Sequence, residues 1–191
     1  MADAVDHQLD LHFANIADTA LADLRTLAIN GGGMGVFFLG SPIIDALARA
    51  SSSSRQPWKA FVTEYMPAID SLRSYERLAD VLYREFRNPG AHNLSASARF
   101  RFTSGDANRG LHLTDVNDVW YLHAGLFAED VETAFNALWE RARTNAELRD
   151  KVLAWFDDHP PVGPVRPATQ TSGGKPVAEA PAVSAADHGA R

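Results

Sequence analysis

The spacing of apolar residues reads as helices on both sides of a short β segment. Leu9, Phe13, Ile16, Ala20, Leu24 and Leu27 recur at steps of three and four, which places them on one face of a long first helix. Gly31, Gly32 and Gly33 end it. A second helix is expected from about Gly35 to Ala50; it is apolar nearly all round, as the central helix of a bundle should be. After a polar loop from Ser51 to Gln56, Pro57 suits the first position of a third helix carrying Trp58, Phe61, Val62 and Tyr65, since a first-turn residue has no intrahelical use for an N–H. A fourth helix is predicted from about Ser71 to Asn88, with Leu72, Tyr75, Leu78, Ala79, Leu82, Tyr83 and Phe86 inward. Pro89 and Gly90 stop it.

The period changes after Ser95. Ala98, Phe100 and Phe102 alternate with Arg99, Arg101 and Thr103, the pattern of a half-buried strand, and turn formers fill Ser104 to Gly110. A hairpin is expected, with Leu111 to Thr114 as its return strand and Val119 to His123 as a third strand after the Asn117-Asp118 turn. Helical spacing then resumes. Phe127, Val131, Ala134, Phe135, Leu138 and Ala142 line one helix, and Leu148, Val152, Trp155 and Phe156 line another that Asn145 can cap. The expected fold is mainly α: a bundle of about six helices with a small antiparallel hairpin or sheet inserted at about 97–123.

From His159 to Arg191 the chain holds six of its ten prolines, four glycines and no aromatic residue. Such a stretch buries too little surface to offset the entropy of ordering, so a helical domain over 1–158 and a disordered tail over 159–191 are expected. The chain has no cysteine, which removes disulfides, thiolate zinc sites and thiol nucleophiles together. Its net charge of −6 disfavours broad nonspecific binding to nucleic acid, though a local arginine cluster can still hold a phosphate. Asp3, Asp6 and Asp10 replace the basic start of a secretory signal, and the apolar stretch from Met34 to Ala50 is short for a bilayer and interrupted by Ser41, Pro42, Asp45 and Arg49. A cytoplasmic protein with no membrane partner is the expectation.

Several features invite chemistry and have plainer readings. Gly31 to Gly35 lacks the preceding strand and the following lysine of a phosphate loop, so it reads as a linker between helices. Asp115, Asp118, Glu129, Asp130 and Glu132 are spaced as turn and helix N-terminal residues. Asp157, Asp158 and His159 read as the solvated close of the last helix, and His112 and His123 as lone strand histidines. No metal or cofactor is expected.

The informative segment is Tyr83-Arg84-Glu85-Phe86-Arg87-Asn88-Pro89-Gly90-Ala91-His92-Asn93. Arg84 and Arg87 can serve as cations at a helix C-terminus. Alternatively, Arg87, Asn88 and His92 converge across the Pro-Gly turn as a phosphodiester site that needs no metal. Arginine grips two phosphate oxygens, histidine moves a proton near neutrality, and asparagine orients either group. In that reading Arg84 and Asn93 contact substrate.

Arg87-Asn88-Pro89-Gly90-Ala91-His92 resembles the Arg-polar-x3-His motif of the HEPN superfamily of nucleotide-binding helical bundles. The stretch from the Gly-rich linker through Ile43-Ile44-Asp45-Ala46-Leu47 and Phe61-Val62 to Tyr83-Arg84 is also similar to an uncharacterised bacterial family of this kind. The resemblance covers about residues 30–95, with a weaker echo from Phe127 to Phe156. It implies a metal-independent ribonuclease of toxin or defence type, acting on RNA, with Arg87, Asn88 and His92 catalytic in a composite site between two copies of the chain. A noncatalytic module that binds RNA, a nucleotide or a protein partner stays open beside it.

Overall fold

In a computed structural model, which describes residues 2–84 and 99–160, the chain is mainly helical with a small three-stranded sheet. The element order is α1 (Ala2–Ile16), a π turn (Ala17–Leu21), α2 (Ala22–Ile29), α3 (Gly33–Ser51), α4 (Pro57–Tyr65), α5 (Tyr75–Leu82), β1 (Phe100–Thr103), a 3-10 turn (Asp106–Leu111), β2 (Thr114–Val116), β3 (Val119–His123), α6 (Ala124–Thr144) and α7 (Ala146–Asp158).

The expected first helix is thus two. A π turn spans five residues between bonded groups instead of four, so it shifts the apolar face by one position. Ile16 is followed inward by Leu21, five residues on, then Leu24, while Leu27 lies at the surface. Gly31, at φ +71°, turns the chain out of α2, and Gly33 opens α3, so the glycines are a linker.

Helix α3 is the centre of the bundle and packs against α2, α4, α6 and α7. It is the one helix among the described residues that is long and apolar enough to cross a membrane by composition, at 19 residues. Its buried residues, Val36, Phe37, Ile43, Ile44 and Leu47 among them, face protein neighbours. Phe37 meets Phe127 of α6 and Phe102 of β1, each at 4.4 Å between ring centroids. The two helices approach closely at Gly40, where a Cβ would stand 2.5 Å from Phe127 Cε1. A second aromatic cluster closes the other side, with Phe13 of α1 against Phe135, Trp139 and Phe156. Each such side chain removed from water contributes roughly 1.5–3 kcal/mol.

The strands depart from expectation. β1 does not pair with the chain that follows it; the sheet is mixed, in the order β1-β3-β2, with β1 parallel to β3 and β2 antiparallel to β3. The hairpin is β2–β3, closed by Asn117 and Asp118, both at positive φ, the two-residue turn whose twist matches that of the strands. Of Leu111 to Thr114, expected to return beside β1, Leu111 closes the 3-10 turn, His112 and Leu113 are buried, and Thr114 opens β2, which β3 separates from β1. Strand β1 faces as its alternation requires: Phe100 lies inside opposite Trp120, while Arg99 and Arg101 lie at the surface.

The fourth helix begins at Tyr75, four residues later than expected, because the Asp70 carboxylate accepts the backbone N–H groups of Leu72 and Arg73 and holds a turn there. Leu72, expected inward, is 68% exposed, and Tyr83 is 39% exposed. The last two helices follow expectation, with Asn145 accepting the Leu148 N–H at 3.0 Å as the cap of α7.

Helices α2 and α6 are pinned by a two-pronged ion pair, Arg25 to Glu132 at 2.8 and 2.6 Å. The arginine's hydrogen bonds hold the Glu132 carboxyl below its ordinary range, so its stabilisation is present above that range and lost as pH falls through the depressed value. Glu132→Gln is expected to cost at most about 1 kcal/mol near pH 7, the scale of a partly exposed pair. Urea unfolding at several pH values should show the gap between the two proteins closing in acid.

Candidate functional site

Helix α5 leads toward the Arg-Asn-x3-His segment, and its start is fixed by a buried polar cluster. Tyr75, its first residue, donates its phenolic hydrogen to Asp130 Oδ2 of α6 at 2.7 Å. His112, on the chain before β2, lies 2.9 Å from the same carboxylate oxygen through Nε2. Its Nδ1 accepts the backbone N–H of His123 at 3.0 Å, so the ring hydrogen sits on Nε2 and is donated to Asp130. Burial first, and the adjoining carboxylate second, hold the Tyr75 phenol protonated well above its ordinary range.

This cluster corrects the reading of Asp130 as a helix N-terminal charge. Helix α6 begins at Ala124, so Asp130 lies in its second turn and works as a shared acceptor between three elements. Removing the hydroxyl with Tyr75→Phe leaves the carboxylate short of a donor and is expected to lower unfolding free energy by about 1–3 kcal/mol, measured by urea denaturation.

His123 is engaged in the same manner. Its Nδ1 accepts the Leu126 N–H and caps α6, and its Nε2 lies 3.1 Å from the Gly105 carbonyl, to which it donates. Both histidines have each ring nitrogen committed, which suits a framework role and leaves no lone pair for a proton transfer. Glu129 pairs with Arg109 at 3.2 Å. Asp157 accepts from Gln8, and His159 stacks on Trp155 with centroids 4.6 Å apart. Asp115 lies on β2 and Asp118 in the turn after it. Among the described residues no cluster of three or more His, Asp or Glu could hold a metal ion.

The far end of α5 carries the described part of the candidate site. After Leu82 the chain continues through Tyr83 and Arg84 in a π turn. These two residues, with Gln56, Lys59 and Asp80, line an open groove of about 520 Å³ between α4 and α5. Lys59 Nζ lies 2.9 and 3.0 Å from the two Asp80 carboxylate oxygens, an exposed pair. Arg84 donates from Nε to the Asp80 carbonyl at 3.3 Å, and its terminal nitrogens have no partner among the described residues. The Tyr83 ring packs at 57° to Trp58, with centroids 6.0 Å apart.

Arg87, Asn88, His92 and Asn93 lie outside the described residues, as does the tail from 161 onward. Of the sequence-predicted site residues, the structure therefore places Arg84, at the surface beside Lys59. Lys59 was legible as a cation, but the pairing of α4 with α5 that brings it to Arg84 has no local signal in the sequence. Tyr75, His112 and Asp130 are likewise joined only by the tertiary fold. Comparison with family models, curated proteins and solved structures found no match.

Proposed function

We propose that this chain is a HEPN-like, metal-independent endoribonuclease that works in the cytoplasm as a homodimer, with Arg87, Asn88 and His92 as its reacting groups. The observation that carries this reading is Arg84: its guanidinium stands at the end of a helix anchored in the bundle, beside a second cation, with its terminal nitrogens unengaged among the described residues. Arg87 follows by three residues, about 11 Å of chain at most. A run of two arginines, an amide and an imidazole then converges on chemistry that a phosphodiester requires.

His92 takes the proton of a ribose 2′-hydroxyl, and the 2′-oxygen attacks phosphorus. Arg87 neutralises the charge that builds on the phosphoryl oxygens, and Asn88 holds the imidazole or the phosphate in line. The bond from phosphorus to the 5′-oxygen breaks, and the proton held by the imidazole passes to that departing oxygen. The products are a 2′,3′-cyclic phosphate and a 5′-hydroxyl. Two copies of the motif facing each other across a two-fold axis make the composite site that the resemblance implies.

The test is RNA cleavage by purified protein in the presence of EDTA, wild type beside His92→Ala. Loss of proton transfer costs about 10²- to 10⁴-fold, so the variant is expected to be inert in an assay that sees the wild type. RNA bound by both proteins and cut by neither would leave a noncatalytic binding module. Activity that needs a metal and survives His92→Ala would end the nuclease reading.

A further inference from the structure

We infer that Asn30, at the end of α2, is a site of spontaneous modification, where the side-chain amide leaves as ammonia and the residue becomes aspartate or isoaspartate. Asn30 is the one asparagine of the chain that glycine follows. The fold explains why glycine stands there. At φ +71° Gly31 turns the chain so that its N–H reaches the Ala28 carbonyl at 3.2 Å and the Gly32 N–H reaches the Leu27 carbonyl at 2.8 Å. These two bonds close the last turn of α2, and a residue with a side chain would be strained at that φ. Asn30 and Gly31 are both exposed, and a Cβ built on Gly31 would meet no atom within 4 Å. The glycine that caps the helix therefore presents an unshielded backbone nitrogen beside the Asn30 carboxamide.

The reaction uses only solvent water and hydroxide. Hydroxide removes the Gly31 amide proton and the nitrogen attacks Asn30 Cγ; the bond from Cγ to Nδ2 then breaks, and Nδ2 takes a proton from water and departs as ammonia. Hydroxide is regenerated. Water opens the cyclic imide at the side-chain carbonyl to give aspartate, or at the main-chain carbonyl to give isoaspartate. In the fold both reacting groups are held, the Gly31 N–H by Ala28 and Asn30 Nδ2 by the Thr26 carbonyl, to which it donates at 2.8 Å. Both bonds end on the last turn of α2, so the reaction waits for that turn to fray, as helix ends readily do. Breaking two such exposed bonds slows it about tenfold relative to the unfolded chain. The product undoes the cap. A carboxylate has no hydrogen to donate to Thr26 and lies at the negative end of the helix, and isoaspartate adds a methylene to the backbone inside the turn. Modification thus loosens the linker that leads from α2 into the central helix α3.

The test incubates the full chain at mildly alkaline pH, in native buffer and in concentrated urea, and follows the peptide containing Asn30 by mass spectrometry, with aspartate and isoaspartate separated by fragmentation. Conversion is expected in both, about tenfold slower in buffer than in urea. Asn30→Gln, whose longer side chain would have to close a larger ring, is expected to show none at this position. Asn30→Asp, which reproduces the unrearranged product, is expected to melt about 2–4 °C below the wild type. No conversion at Asn30 in buffer, over a time in which the urea sample converts fully, overturns the site in the folded protein. Equal rates in the two samples overturn the control by the cap, and conversion at Asn30 no faster than at the other asparagines overturns the choice of residue. An unchanged melting temperature for Asn30→Asp overturns the loosening of α2.

Discussion

Replacing Arg87 by lysine is expected to reduce RNA cleavage nearly as far as replacing it by alanine, by about 10²-fold or more. The two substitutions separate the two roles that a cation at this place can play. Lysine keeps the positive charge, which is all that a helix C-terminus asks of it. It loses the planar fork that meets two phosphate oxygens at once. A ribonuclease should therefore distinguish arginine from lysine sharply in kcat, while thermal unfolding of the two variants stays alike. Full cleavage by Arg87→Lys would assign Arg87 to helix capping and remove it from the reacting groups.

The largest effect on stability is expected at Phe100. Its side chain is 2% exposed, it lies opposite Trp120 in the parallel pair, and its ring runs parallel to that of Phe102 at 6.4 Å between centroids. Phe102 in turn packs on Phe37 of α3, so this strand joins the sheet to the bundle's central helix. Truncating a buried phenylalanine costs about 3–5 kcal/mol, because both the transfer of apolar surface and the cavity left behind count against the fold. Arg101, the next residue, faces outward, and Arg101→Ala should stay near the surface norm of about 0.5 kcal/mol. Equal losses for the two variants in urea denaturation would mean that the strand register is wrong.

What the sequence reveals here follows from the range of the interactions involved. Periodicity marks α3, α4, α6 and α7 because each owes its pattern to one continuous face, and Asn145 is legible as a cap because its partner, Leu148, is three residues away. The π turn escapes that reading: Leu27 fits the helical series as well as Leu21 does, and only packing against α3 and α6 decides between them. The hairpin between β1 and its successor fails for a related reason. Alternation identifies Phe100 to Thr103 as a strand, but the choice of β3 as its neighbour depends on where Trp120 and Leu122 are buried. The candidate site divides in the same way. Arg84 and the Arg-Asn-x3-His run are read directly from the chain, whereas Lys59 and the Tyr75–His112–Asp130 cluster need contacts across 18 to 55 residues.

The order of the strands has a consequence for the chain as it is made. The elements on either side of residues 85–98 are both tied to later sequence: among the described residues β1 pairs with β3 alone, and the first residue of α5 is held by His112 and Asp130. Synthesis delivers residues from the N-terminus, and a parallel pairing cannot close until its intervening chain exists. On a translating ribosome α5 is therefore made before the partners of its first residue, and both ties are complete only once the chain has emerged past Asp130.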